Sequence, residues 1–223
     1  MKRISRPFLS PICLFVLFVL YTLLIRHVDV RPIGPNGSAV GFAALNGWAH
    51  DLFGVHWTLY TVTDWLGLVP ILVAFGFAVL GLVQLLRRRS LFRVDGSILV
   101  LGGFYVLVAA AYLFFESHQV NFRPVLINGI LETSYPSSTT MLVLCVMPTA
   151  RMQFSRLIHS HAAKSVLNIL SAAFMAFMVI GRLTSGVHWL TDILGGVLLS
   201  AALVLVYRAA VTSLNACSNT YPA

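Results

Sequence analysis

The sequence predicts an all-α protein: a polytopic membrane bundle of six transmembrane helices, with an interfacial helix between the first and second. Three observations predict it. Of 223 residues, 58% are hydrophobic and only 10% charged, whereas charged residues make up about a quarter of a soluble domain. Apolar runs approaching the ~20 residues that a bilayer requires recur along the chain. The basic residues, which give a net charge of +8, gather in alternate connections, the pattern that orients a membrane protein. The apolar runs leave no room for a separate soluble unit, so residues 1–223 read as a single membrane domain.

The first span covers about 8–25. Basic residues precede it, but its apolar core is long and no small-residue cleavage site follows, so it reads as a retained helix and not a signal peptide. RPIGPNGS is then a turn-rich loop. Phe42, Leu45, Trp48, Leu52 and Phe53, separated by small and polar residues, suit a helix lying at the membrane interface. The second span covers about 65–86 and ends in RRRS; the third covers about 98–115. A long polar connection, ESHQVNFRPVLINGILETSYPSS, leads to the fourth, about 137–152, which is the least apolar. It is either a short helix whose start lies below the membrane surface, or one that runs on with Arg151 snorkelling. The fifth and sixth spans cover about 166–181 and 190–207.

With six spans, one side receives Lys2, Arg3, Arg6, the Arg87 to Arg93 cluster, Arg151, Arg156, Lys164 and Arg208. The other receives Arg26, Arg31, Arg123 and Arg182. Both termini are therefore expected in the cytoplasm, with the connections after spans one, three and five outside. This distribution accounts for the positive charge without nucleic acid, and no nucleic-acid partner is expected. Cys13 and Cys145 lie in apolar runs and Cys217 in the tail, a pattern that suggests neither a disulfide framework nor a zinc site. His27, His50 and His56 are outer or interfacial, and His159 and His161 fall on the cytoplasmic side. No cluster has the density of a metal site, so no metal and no cofactor are expected.

The outer connections carry polar groups close to membrane depth, where such groups are costly and mark functional candidates. One cluster is Arg123-Pro124, preceded by Glu116, His118 and Asn121. A second is Tyr135-Pro136-Ser137-Ser138-Thr139-Thr140, where a helix begins. PSSTT suits an ordinary N-cap after proline and equally offers hydroxyls and free backbone N–H groups to an anion. The third is GRLTSGVHWLTDILGG. His188 and Asp192, spaced i, i+4, share a face on a helix, so the carboxylate can accept an imidazole N–H and leave the other nitrogen free as nucleophile or base. A purely structural hydrogen-bonded pair has the same spacing. Arg182, with Arg123 from the neighbouring connection, adds planar forks suited to a phosphate.

These three clusters, in this order and on one side of six spans, resemble the membrane branch of the type 2 phosphatidic acid phosphatase superfamily. That family carries KxxxxxxRP, PSGH and SRxxxxxHxxxD; this chain has ESHQVNFRP, PSST and GRLTSGVHWLTD. The resemblance covers most of the chain after the first span, and the third motif is the most specific. It implies His188 as the nucleophile that becomes a phosphohistidine and Asp192 as its orienting partner. It implies Arg123 and Arg182 as phosphate clamps, and Ser137, Ser138 and Thr139 as the rest of a phosphate cradle. The implied substrate is a lipid phosphate in the bilayer.

Three positions depart from the family pattern. Glu116 stands where the first motif has lysine; it is placed to buttress Arg123 or to bind a cation. Thr139 stands where the second motif has the histidine that protonates the leaving oxygen, help worth about 10²–10⁴-fold. Its loss matters least for a weakly basic leaving group, as in a lipid diphosphate such as a polyprenyl diphosphate, and His118 or Glu132 lie in the same connection as substitutes. Gly181 replaces the third-motif serine. The expectation is a membrane-embedded phosphatase or phosphotransferase acting at the outer face. Glu116 and Thr139 motivate the alternative, a catalytically impaired relative that binds or moves phospholipid or regulates a partner. A transporter or channel fits less well, because the spans are almost bare of ionisable groups.

Overall fold

The computed structural model describes residues 6–220, with side chains from Pro7 to Ala216. Lys2 and Arg3, counted above toward the basic side, lie outside the described residues, as do the side chains of Arg6 and Cys217. Eight α-helices follow one another: α1 Arg6–His27, α2 Ala43–Phe53, α3 Trp57–Leu66, α4 Leu68–Arg88, α5 Gly96–Ser117, α6 Ser138–Leu157, α7 His161–Thr184 and α8 Leu190–Thr220. The described residues form an all-α bundle, as the sequence predicts.

Among the described residues, five helical stretches are long and apolar enough to cross a membrane: Pro7–His27, Trp57–Arg88, Gly96–Ser117, His161–Thr184 and Leu190–Ala216. Their outward faces are apolar, with Leu9, Ile12, Leu72, Phe75, Val106, Ile169 and Leu170 all exposed. Five of the six expected spans therefore meet the requirement of length and composition. The missing one is α6, which forms a helix of 20 residues but is not apolar enough. Packing against α4, α5, α7 and α8 explains this: α6 meets protein on several sides, so its polar residues find partners. Thr149 Oγ1 bonds the Cys145 carbonyl at 2.8 Å, and Gln153 Nε2 donates to the Ser97 carbonyl at 3.1 Å and to the Tyr207 hydroxyl. The helix continues through Arg151 to Leu157.

The segment between α1 and α4 also differs from expectation. The interfacial pattern is α2, which exposes Leu45, Trp48 and Leu52 and buries Asn46 and Ala49. A second helix, α3, follows in a segment to which the sequence assigned no element before the span at about 65. α3 and α4 meet at Gly67, which keeps helical dihedrals. The break falls there because Pro70 has no N–H for the Leu66 carbonyl and its ring crowds that oxygen.

α8 is the central helix. Of its most apolar window 56% is buried, against 17% for α1. The core runs along it: Leu199, Leu203 and Tyr207 pack with Phe18 and Ile25 of α1, Leu101 and Phe104 of α5, and Met141 and Cys145 of α6. Cys13 and Cys145 are both free thiols.

Candidate active site

The polar connection between α5 and α6 folds into an antiparallel hairpin at one end of the bundle. Asn128 and Gly129 both take positive φ, the conformation a two-residue hairpin turn demands, and Ile127 and Ile130 exchange backbone hydrogen bonds across it. Further back, Arg123 N–H donates to the Glu132 carbonyl at 3.0 Å and Ser134 N–H to the Asn121 carbonyl at 2.9 Å. Between these rungs the strands are uneven: residues 124–126 face Leu131 alone. Pro124, lacking an N–H, cannot carry the ladder. The result sets Asn121 and Arg123 beside Glu132 and Ser134. Trp189 Nε1 fastens this hairpin to the start of α8 by donating to the Phe122 carbonyl at 2.7 Å.

His188 and Asp192 do not share a helical face. His188 lies in the turn between α7 and α8, while Asp192 sits in the first turn of α8, where its Oδ2 accepts from the Trp189 N–H at 3.0 Å. The two side chains are joined through Ser134. Its hydroxyl lies 3.1 Å from His188 Nδ1 and donates to Asp192 Oδ2 in a short hydrogen bond. Asn121 Nδ2 donates to Asp192 Oδ1 at 3.2 Å. On the opposite edge of the ring, His188 Nε2 is 3.1 Å from Arg123 Nη1 and 3.3 Å from Arg182 Nη2. Guanidinium nitrogens only donate, so this network assigns Nε2 the lone pair and Nδ1 the proton. Burial first, then the positive charge of Arg123 and Arg182, holds the His188 pKa well below its ordinary value. The imidazole is neutral, with its lone pair aimed between two cations.

Arg182 is almost wholly buried, at 1% exposure, and an uncompensated charge there would cost several kcal/mol. The compensation comes from α3. Asp64 Oδ1 lies 3.6 Å from Arg182 Nη1, Thr63 Oγ1 accepts from it at 3.5 Å, and the Tyr60 ring centroid is 5.0 Å from Cζ. α3 packs so closely on α7 that a Cβ at Gly181 would stand 2.8 Å from the Thr63 methyl. That contact explains glycine at a position where the resembling family has serine. A second close approach occurs at Gly195, where a Cβ would lie 2.3 Å from the Tyr135 ring; its absence lets the segment before α6 rest on α8.

A cavity of about 250 Å³ opens beside His188 and is also lined by Arg123, Ser134, Ser138, Glu116 and Glu132. Arg123 Nε lies 3.0 Å from Glu132 Oε2, an ion-pair contact not aligned as a hydrogen bond. Four buried polar atoms around the site make no hydrogen bond: Arg123 Nε, Arg182 Nε, Ser137 Oγ and Thr140 Oγ1. Ser137 N–H donates to the Asp192 carbonyl at 3.1 Å. Two expected residues lie elsewhere. Thr139 lines an adjoining, mostly apolar groove of about 530 Å³ shared with Gly67, Tyr105 and Leu142. His118 turns away: its ring stacks on Phe114 at 4.2 Å, and its Nδ1 is taken up by Ser117 Oγ and the Phe114 carbonyl, both at 2.9 Å. Among the described residues, no group of three His, Cys, Asp or Glu side chains lies close enough to hold a metal ion.

Sequence reasoning brought Arg123, Arg182, His188 and Asp192 to one place. It missed Ser134 and the α3 cradle of Tyr60, Thr63 and Asp64. The Asn128-Gly129 pair, a strong hairpin signal, is the feature that could have pointed to Ser134, since it folds that residue back toward Arg123.

A family model described as the PAP2 superfamily matches residues 105–215. Among solved structures, the chain is similar to the crystal structure of the first transmembrane PAP2 type phosphatidylglycerolphosphate phosphatase from Bacillus subtilis. Identity is 19%, with 92% of this chain and 96% of that chain covered and a TM-score of 0.51, a likeness of fold. No curated protein matches the chain.

Proposed function

The chain belongs to the PAP2 superfamily, and from that premise we propose that it is a membrane phosphatase or phosphotransferase acting on a lipid phosphate or diphosphate through a phosphohistidine. The observation that carries this reading is His188 Nε2, unprotonated and within 3.3 Å of two guanidiniums at the wall of a polar cavity. The apolar groove beside that cavity, which shares Tyr112, Ser138 and Met141 with it, suits an acyl or prenyl chain.

In this mechanism Arg123 and Arg182 turn from Nε2 onto the phosphate oxygens. The Nε2 lone pair then forms the N–P bond as the bond from phosphorus to the leaving oxygen breaks. The leaving oxygen takes a proton from solvent; Glu132 is engaged with Arg123, and His118 is turned away from the cavity. The developing imidazolium keeps its Nδ1 proton against Ser134, whose own hydroxyl stays on Asp192, so positive charge is balanced without a second proton transfer. Water then attacks phosphorus and returns Nε2. Ser137, Ser138 and the α6 N-terminus complete the phosphate cradle, and Thr139 contributes through its backbone rather than its side chain. Nearly all the work is positioning and charge stabilisation, as phosphoryl transfer requires.

The same reading makes α6 a sixth crossing, shielded from lipid by its neighbours. Both termini are cytoplasmic and the site opens at the outer face, following the charge asymmetry. The purified protein is expected to release phosphate from lipid phosphates and to trap an acid-labile phosphoryl group. Release that persists in His188→Ala would refute the mechanism. Binding of lipid phosphates without release would identify the protein as a non-catalytic relative.

A further inference from the structure

Arg182 reaches the site from outside the cavity. It does not line the space beside His188. Its Nη2 meets His188 Nε2 at 3.3 Å, and its Nη1 is turned to α3. The residue is buried and its Nε makes no hydrogen bond, so the direction of its planar head depends on the groups that α3 offers. Tyr60, Thr63 and Asp64 are spaced i, i+3 and i+4 and share one face of that helix. The three do not hold equally. The Tyr60 ring touches the face of the guanidinium. The Thr63 hydroxyl is already given to the Leu59 carbonyl at 2.8 Å, and its contact with Nη1 is long at 3.5 Å. Asp64 brings the opposite charge, 3.6 Å from Nη1.

At that distance the pair is a contact of charges and not a hydrogen bond, so the guanidinium can swing without leaving its partner. Asp64 lines the adjoining apolar groove and not the cavity. Its route to a phosphate bound beside His188 therefore runs through Arg182. Glu132, the partner of Arg123, stands differently: it lines the cavity itself.

Resting on the phosphatase reading, we propose that Asp64 is a positioning residue for phosphoryl transfer. Its carboxylate keeps the Nη1 end of Arg182 on α3 and leaves Nη2 to His188 and, in turn, to the phosphate. The same carboxylate competes with the phosphate for Arg182. It weakens ground-state binding while keeping the guanidinium aligned for the transition state, where charge spreads over the equatorial oxygens. A contact that is stronger there than in the ground state raises turnover.

The test compares the purified full chain with Asp64→Asn, which keeps the shape and removes the charge. Turnover is read with hexadecyl phosphate, and Kd with hexadecylphosphonate, which offers no leaving oxygen. Asp64→Asn should lower kcat about tenfold, the scale of losing a group that orients a functional side chain. It should also tighten Kd about three- to tenfold, the scale of one half-exposed ion pair. kcat and KM then fall together, as when ground-state strain is removed; a loss of packing alone would not tighten Kd. Asp64→Glu, which moves the charge by one methylene, should shift both quantities the same way by about two- to threefold, and it carries the test if Asp64→Asn does not fold. In an Arg182→Gln background neither substitution should change Kd or kcat further. Unchanged kcat and Kd, weaker binding of the phosphonate, or an equal effect with and without Arg182 would each overturn the proposal. Tighter phosphonate binding in a protein that releases no phosphate would refute only the phosphatase reading. Normal release that Asp64→Asn leaves untouched would refute only the role of Asp64.

Discussion

Two clusters of buried polar groups sit along the same bundle. One is the site around His188; the other lies further along α8, where Ser97, Gln153 and Tyr207 join and Tyr105 meets Thr149 at 3.4 Å. The second cluster is neutral, and none of its side-chain atoms is an unsatisfied buried one. The first contains two guanidiniums, a buried carboxylate and four buried atoms without hydrogen bonds. Buried polar groups normally find partners. A cluster that closes on itself ties helices together; a cluster left open keeps donors ready for a ligand, at a cost in stability.

The sharpest way to break this contrast is at His188, the proposed nucleophile. His188→Ala should lower phosphate release by about 10³-fold or more, the scale of losing a covalent nucleophile, while the melting temperature changes little. Next come the proposed phosphate clamps. Arg123→Lys keeps the charge but loses the planar fork, and activity should fall about 10²-fold, as when a preorganised donor to the transition state is removed. Ser134→Ala cuts the link between His188 and Asp192. A loss of roughly ten- to 100-fold in kcat is expected, as for partners that orient a functional imidazole, with Ser134→Thr recovering most of it.

Smaller effects test the other cluster. Gln153→Leu should destabilise the fold by about 1–3 kcal/mol, because the Tyr207 hydroxyl and the Ser97 carbonyl lose a partner, with activity per folded molecule nearly unchanged. The smallest is a pH effect. Burial and two cations keep His188 neutral in the folded protein, so kcat/KM for the free enzyme should hold its plateau below the ordinary imidazole value of about 6.5. As pH falls below that value, the unfolded chain takes up a proton that the folded chain refuses. Stability contributed by His188 is therefore present above about pH 6.5 and lost below it. His188→Asn should flatten that part of the melting-temperature profile.

The long apolar helices were legible because lipid imposes one rule on a whole segment. α6 was legible as a helix and as the least apolar span, but what answers its polarity was not, because the partners on α5 and α8 lie far away in sequence. α3 was not legible: WTLYTVTDWL is rich in residues with no strong helix preference, and its reason for folding is packing against Gly181 and Arg182. In the site, Arg182, His188 and Asp192 stand close together in one stretch and could be read from it. Ser134 was legible only as a neighbour of Arg123 through the Asn128-Gly129 hairpin; its place between His188 and Asp192, 54 and 58 residues on, was not.

The first turn of α8 is held from several earlier parts of the chain. The Tyr21 hydroxyl of α1 donates to the Thr191 carbonyl at 3.1 Å, Asn46 of α2 bonds both the Thr191 N–H and its hydroxyl, and Ser134 and Asn121 of the hairpin hold Asp192. His188, the proposed nucleophile, thus follows in the chain the side chains that hold the segment around it: Tyr21, Asn46, Asn121 and Ser134 all precede it. A nascent chain halted before α8 would carry His188 and both arginines but lack Asp192, so the link from the imidazole through Ser134 to the carboxylate would form only once α8 has docked.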